Sequence, residues 1–367
     1  MKRKVKNSGI RGCGLGIVLL TLILFSSKLY SQQEDKDRAL LDRAKTFFTP
    51  LTEKVIDNPQ NRVTPEKVKL GKMLYFEPRL SKSGFISCNS CHNLASYGVD
   101  NLPTSIGHKW QIGPRNAPTV FNAALHIAQF WDGRAKDLEE QAKAPVLNPK
   151  EMASPHEGFV VDKIKSIPEY VELFKKAFPE EKEPVTYENI AKSIAAFERT
   201  LLTPSRFDKF LQGDLNALTK EEKEGLRTFI EVGCPICHRG KGVGGEIFQK
   251  FGIVKPYYEV IKYEDKNQID VGRYAVTKDE GDEYVFKVPS LRNVTRTYPY
   301  FHDGSVWSLE EAAKIMAEIQ LGRKLTDDEV KKIVAFLKSL EGAIPEDALK
   351  MPILPPSSPQ TSKPDFK

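Results

Sequence analysis

Residues 87–93 read Ser-Cys-Asn-Ser-Cys-His-Asn, and residues 234–238 read Cys-Pro-Ile-Cys-His. Each holds a C-x-x-C-H pattern. Two cysteines three apart on a helical turn project to the same side. Their sulfurs can then bond the two vinyl-derived carbons on one edge of a haem, and the adjacent histidine reaches the iron. Cys88/Cys91 and Cys234/Cys237 therefore predict two covalently attached haem c groups, with His92 and His238 as proximal ligands. Other readings of the four cysteines explain less. The gap from Cys91 to Cys234 is far longer than the tens of residues usual between the pairs of a structural zinc site. No strand–helix–strand pattern surrounds either pair, as a thioredoxin-like motif would need. Disulfides would leave the two histidines without a role.

Ahead of these motifs, a basic stretch from Met1 to Arg11 precedes an apolar run from Leu15 to Phe25 and then Ser26, Ser27 and Ser31. This is the pattern of a secretory signal peptide, with an apolar run too short to span a bilayer comfortably. Residues 1–31 are read as that signal, cleaved near Ser31–Gln32, and the mature chain as periplasmic, an exported location where haem attachment takes place. Cys13 precedes the apolar run and is given no function. Of the 55 basic residues, six lie in the signal, which has no acidic ones, so 49 remain against 49 Asp and Glu. The formal charge of +6 thus vanishes on processing and gives no reason to expect nucleic-acid binding. With 367 residues, 40% hydrophobic and 28% charged, the chain is long enough for two soluble globular domains.

Helical signals dominate. Helices are expected over 34–48, from the capping Thr64-Pro65-Glu66 to about Phe76, and over 137–143, 167–178 and 186–202. After Thr203-Pro204-Ser205 the order restarts. A capping box at Thr219/Glu222 opens a helix leading to the second cysteine pair. Two more boxes, at Ser308/Glu311 and Thr326/Glu329, open helices near 309–319 and 327–340. One hairpin is possible within 257–287, and 98–116 should be loop. The fold expected is mainly α, with two cytochrome c-like domains over 32–204 and 205–350 and an extended tail over 351–367. The order of parts repeats, although no close sequence repeat is visible.

The sixth ligand of each haem decides whether it only carries electrons or also does chemistry. Met316 follows His238 in a late helix, the usual order for a thioether ligand in a small cytochrome c. In the first unit Met152, His108 and Glu151 are all candidates, and the residues alone do not choose among them.

Several stretches carry a specific resemblance: LGKMLYFEPRLSKSG (70–84), SCNSCHN (87–93), SIGHKWQIGPRNAPTV (105–120), AQFWDGRAKDLEEQAKAPV (128–146), PSLRNV (289–294), PYFHDGSVW (299–307) and KIMAEIQLG (314–322). Together they make the chain from about Leu70 to Pro356 similar to the bacterial dihaem cytochrome c peroxidases. The resemblance implies a peroxidatic N-terminal haem, with His108 as a distal ligand that leaves when the other haem is reduced. It implies Glu151 as distal acid/base, Gln141 as its neighbour in the pocket and Trp131 between the haems. It implies a high-potential C-terminal haem on His238 and Met316. Calcium would be held by Asn116 and the carbonyls of Thr297 and Pro299, and the protein would be a homodimer. The role of His302 stays open.

The expected activity is reduction of hydrogen peroxide to water with electrons from a small cytochrome c or copper protein. A non-enzymatic dihaem carrier, with Met152 and Met316 both ligating, is the first alternative. An enzyme oxidising a protein side chain is the second, and Met316 counts against it because that relative carries tyrosine there.

Overall fold

The computed structural model describes residues 32–261 and 269–367. The signal reading and Cys13 lie outside the described residues. Helix α1 spans 32–45. Helix α2 (Pro65–Tyr75) starts where the sequence puts it: Thr64 accepts from Lys67 N, and Pro65 takes the first position. The first attachment pair forms α3 (Cys88–Cys91). Asp137 caps α4 (Leu138–Leu147), and α5 (Glu157–Lys165) and α6 (Pro168–Ala177) follow. Thr186 caps α7 (Tyr187–Glu198). The second unit holds α8 (Arg206–Leu211), α9 (Lys220–Val232), the short α10 (Tyr257–Val260) and α11 (Tyr274–Thr277), then α12 (Leu309–Leu321), α13 (Asp327–Lys338) and α14 (Glu346–Leu349). The capping boxes at Thr219/Glu222 and Thr326/Glu329 are both closed. The hairpin expected within 257–287 is instead a longer-range pair: β1 (Phe248–Lys250) runs antiparallel to β2 (Val285–Lys287), with Phe248 opposite Lys287. No described helix is long and apolar enough to cross a membrane.

One apolar core gathers Leu70, Leu74, Tyr170, Phe174, Ile194 and Phe197. A second gathers Phe207, Phe210, Phe229, Ile333 and Phe336. The chain ends cross over between them. Leu40, Leu41, Ala44 and Phe48 pack in the second core, although the sequence reading groups this helix with the first unit. Conversely Ala348 and Leu354 join the first core. The tail then runs over the first unit, where Arg79 Nη2 donates to the Pro355 carbonyl at 2.7 Å and Phe366 meets Phe85. Apolar periodicity shows which face is buried but not against which partner, so this exchange is invisible in the sequence.

The structure also reveals a repeat that the sequence reading passes over. Phe130-Trp-Asp-Gly-Arg-Ala-Lys-Asp-Leu-Glu-Glu-Gln-Ala142 matches Phe301-His-Asp-Gly-Ser-Val-Trp-Ser-Leu-Glu-Glu-Ala-Ala313 in register. The backbones agree. Phe130 and Phe301 have φ of 66° and 72°, Gly133 and Gly304 have 67° and 63°, and the bridges Gln129–Ala135 and Tyr300–Val306 close both turns. At the same offset Pro118–Asn122 matches Pro289–Asn293, with Asn122 and Asn293 both left-handed and fully buried. Their Nδ2 groups converge on one hydroxyl: Thr203 Oγ1 accepts from Asn122 at 2.8 Å and from Asn293 at 2.9 Å. Thr203 thus joins the two matching stretches.

Each unit also brings two helices together across a glycine. A methyl group at Gly71 would fall 1.8 Å from Ser193 O where α2 meets α7, and one at Gly225 would fall 2.1 Å from Lys332 O where α9 meets α13. Both obstacles are backbone and cannot swing aside. Gly71→Ala and Gly225→Ala should each cost about 1–3 kcal/mol or more by overpacking, read as a lower denaturation midpoint of the haem-loaded protein. Unchanged midpoints would show that the helices separate freely.

Candidate active site

The first attachment segment is set by backbone and side-chain bonds. Ser90 Oγ accepts from Ser87 N at 3.0 Å, and His92 N donates to Cys88 O at 2.9 Å, so Cys88, Cys91 and His92 stand on one tight turn. Tyr75 OH donates to the His92 carbonyl at 2.6 Å. His92 Nδ1 lies 2.9 Å from Pro118 O. That carbonyl can only accept, so Nδ1 carries the proton and Nε2 is left as the free donor atom, the usual arrangement of a metal-binding histidine. In the second segment His238 N donates to Cys234 O at 3.0 Å. His238 Nδ1 faces the Pro289 and Val243 carbonyls without closing a well-formed hydrogen bond. Burial lowers both imidazoles, His238 to about 4, which keeps them neutral as iron ligands must be. Cys88, Cys91, Cys234 and Cys237 are all free thiols, which removes the disulfide reading. The donor set fits haem c at both places.

Near the first segment, Glu151 is half-buried in the turn after α4. Burial raises its carboxyl above the ordinary range, against the pull of Arg134 and of Asn148, whose Nδ2 donates to Glu151 Oε1 at 2.7 Å. Burial pushes the Cys91 thiol up to about 11, with Asp100 and then the Glu151 carboxyl adding to the rise. Glu151 therefore stands by the attachment turn. Gln141 lies half-buried on α4, its main chain bonded to Asp137 O.

His108 sits in a hairpin loop closed by Gly107 N to Gln111 O at 2.8 Å and Gly113 N to Ser105 O at 2.9 Å. The loop is tethered more firmly than its glycines suggest. His108 N donates to Glu151 O at 2.8 Å, and Gln111 Nε2 donates to Pro149 O at 2.9 Å. The His108 imidazole is buried with Nδ1 unpartnered. The charges that bear on it are Lys109, Lys82 and Asp365 of the tail. Its ring thus keeps company with the Lys82 turn, while its backbone holds the Glu151 segment. Met152, left open by the sequence, is buried in the first core.

Between the units, Trp131 Nε1 donates to Asn116 O at 2.9 Å, and the Trp131 and His302 rings meet edge to face at 6.3 Å. His302 in turn stacks on Phe286 at 4.4 Å. The two rings occupy matching positions of the repeat, and their main chains are crossed by matching bonds: Asn116 N to His302 O at 2.7 Å and Lys287 N to Trp131 O at 2.8 Å. Met316, half-buried on α12, packs against a third apolar cluster containing Tyr257, Tyr300 and Ile319. Asn116 Nδ2 donates to Leu102 O at 3.0 Å, while Asn101 Nδ2 donates to the carbonyl of Tyr298, between Thr297 and Pro299. The sequence reading missed the two prolyl carbonyls behind the histidines and the supports of Glu151. The register between Pro118–Asn122 and Pro289–Asn293 was the signal that could have found the prolines.

Fold and attachment residues define a c-type cytochrome with two haem c groups in two cytochrome c-like domains. Residues 65–216 match the family model for di-haem cytochrome c peroxidase. The chain is 56% identical to the cytochrome c551 peroxidase of Nitrosomonas europaea, over 83% of this chain and 89% of that one. It is 49% identical to the cytochrome c551 peroxidase of Pseudomonas aeruginosa, over 89% and 92%. Among solved structures, a MauG-like protein associated with microbial copper homeostasis is similar with a TM-score of 0.68 and 28% identity, over 85% of this chain and 97% of that one. The chain belongs to the di-haem cytochrome c peroxidase family.

Removing both thiols of one pair should remove one haem. The double substitution Cys88→Ala/Cys91→Ala should lower covalent haem from two per chain to one, counted by the alkaline pyridine spectrum of the denatured protein. Two haems in that variant would refute the attachment at this pair.

Proposed function

We propose that this exported protein reduces hydrogen peroxide to water at the N-terminal haem, with electrons that enter at the C-terminal haem from a small cytochrome c or copper protein. The observation that carries the division of labour is the repeat. The position that presents Met316 on α12 is Pro145 on α4. A thioether can close one iron, whereas proline has no donor atom to close the other. Met152 is packed in the first core, which favours the enzyme over a carrier with two methionine ligands.

Each turnover consumes one hydrogen peroxide, two electrons and two protons and yields two waters. Haem iron supplies the electron transfer that accompanies O–O cleavage. The protein's share is the proton. The Glu151 carboxylate takes it from one peroxide oxygen and returns it to the other, so that the departing oxygen leaves as water. Asn148 holds one carboxylate oxygen and leaves the other free for this transfer. Gln141, one turn before Pro145 on α4, is the proposed polar neighbour of the substrate. Trp131 and His302 fill the space between the units and offer an aromatic path for the second electron. His108 would be a ligand of the resting state, for which its ring would have to leave the Lys82 turn; its backbone bond to Glu151 O couples any movement of that loop to the acid/base. Calcium is proposed at Asn116 with the Thr297 and Pro299 carbonyls. Such a site has the neutral oxygen donors that calcium accepts. The assembly is proposed as a homodimer and the compartment as the periplasm. The domains are proposed at 32–204 and 205–350, with the packing of α1 exchanged as described.

Glu151→Gln should lose about 10²- to 10⁴-fold in peroxide turnover while both haems are retained. An unaffected rate would remove Glu151 from the chemistry. The working form is the carboxylate, so turnover should fall as pH drops through a value raised above the ordinary glutamate 4.5. Asn148→Ala removes a bond that favours the charged form and should move this acidic limb to higher pH. A limb that stays in place in Asn148→Ala would show that another group controls it.

A further inference from the structure

Among the described residues no carboxylate pairs with the buried cation Lys287. It is 5% exposed at the end of β2, and burial alone accounts for its depression to about 8, with no acidic group of the described residues offsetting it. Its Nζ lies 3.3 Å from His126 Nδ1. The other nitrogen of that ring, Nε2, is also buried and has no hydrogen-bond partner. An uncompensated buried ammonium is destabilising, which is why buried charges are paired. Peroxide chemistry, as assigned above to Glu151 and Gln141, uses neither residue.

The pair lies against the second attachment segment. Gly245 packs directly on the His126 ring, where a methyl group would fall 2.3 Å from Cδ2, and the neighbouring Gly244 would bring one within 3.3 Å of His238 Nδ1. Ile127 N donates to Gly245 O, and Gly245 N donates to Val288 O, both at 2.9 Å. His126 and Lys287 are thus clamped on either side of the loop behind the proximal histidine. In the repeat Lys287 corresponds to Asn116, and the matching backbone bonds to His302 and Trp131 confirm the register. One unit therefore has a neutral amide where the other has a fixed positive charge.

We propose that Lys287 and His126 hold a propionate of the haem bonded to Cys234 and Cys237, with the ammonium as its built-in counter-charge and His126 Nε2 as a second donor. Each covalent haem brings two propionates and thereby the missing carboxylate chemistry. The inference rests on haem attachment alone, not on peroxide turnover or on calcium.

The test uses the full haem-loaded protein, with Lys287→Met as the isosteric neutral variant, Lys287→Arg as the charge-keeping control and His126→Gln as an independent probe. Both haem potentials and the propionate bending bands in the resonance Raman spectrum are read. The C-terminal haem is assigned as the one that remains in Cys88→Ala/Cys91→Ala. Lys287→Met should move its potential to a more negative value, since loss of a positive charge favours ferric iron, and should shift its propionate band. Lys287→Arg should preserve both. His126→Gln should shift the band, and it carries the test if Lys287→Met fails to mature. Unshifted bands, a shift confined to the other haem, or a potential change without a band change would overturn the contact. None of these readouts depends on turnover, so that failure would leave the peroxidase assignment standing.

Discussion

Two haem-bearing units are tied together at one hydroxyl. Thr203 Oγ1 accepts from both Asn122 and Asn293, and each asparagine is held in the left-handed region by a backbone bond from its own N–H, to Leu201 O and Leu340 O. Four residues before each asparagine is the proline whose carbonyl stands behind a proximal histidine, Pro118 for His92 and Pro289 for His238. The orientation of the His92 imidazole is therefore anchored, through five residues, to this point, and the carbonyl that faces His238 Nδ1 is held at the same point. Around it the polar groups are satisfied. Asn122 Oδ1 accepts from Thr203 N, Asn293 Oδ1 accepts from Gly342 N, and the buried Arg292 forms a two-pronged pair with Asp208 at 2.8 and 2.7 Å. A buried network of this kind is stable only when complete, because each orphaned group costs about 1–3 kcal/mol.

On this symmetric scaffold the proposed division of labour rests on departures from symmetry. Met316 stands where the other unit has Pro145, His302 where it has Trp131, and Lys287 where it has Asn116. Each exchange changes one physical property at a matched place: a thioether for a proline, an imidazole for an indole, a fixed charge for a neutral amide. An enzyme that must store an electron at one iron and expose the other to substrate needs this inequivalence. Substituting a few residues on a common frame provides it without a second fold.

The proposed acid/base shows how local structure prepares a group. Glu151 is reached through Pro145 and Asn148, which end α4 and turn the chain back over the attachment segment. Burial then raises the carboxyl, and Asn148 and Arg134 restrain the rise. The His108 loop leans on the same backbone, with Gly107 required because a side chain there would meet the Lys150 carbonyl at 1.9 Å.

Covalent chemistry and local signals were legible in the sequence. C-x-x-C-H names its cofactor because the thiols and the imidazole are adjacent in the chain, and Thr64, Thr219 and Thr326 announce their helices because capping acts within four residues. Resemblance added the roles of Glu151 and Trp131, which no spacing could supply, whereas the order of parts after His238 already pointed to Met316. What only the tertiary structure decided depends on contacts between distant residues. These are the packing of α1 in the far core, the β1–β2 pair, the meeting of Asn122 and Asn293 at Thr203, and the joining of Lys287 to His126 in a buried site. Side-chain periodicity fixes which face of an element turns inward, but the partner it meets there is chosen by the packing of the whole chain.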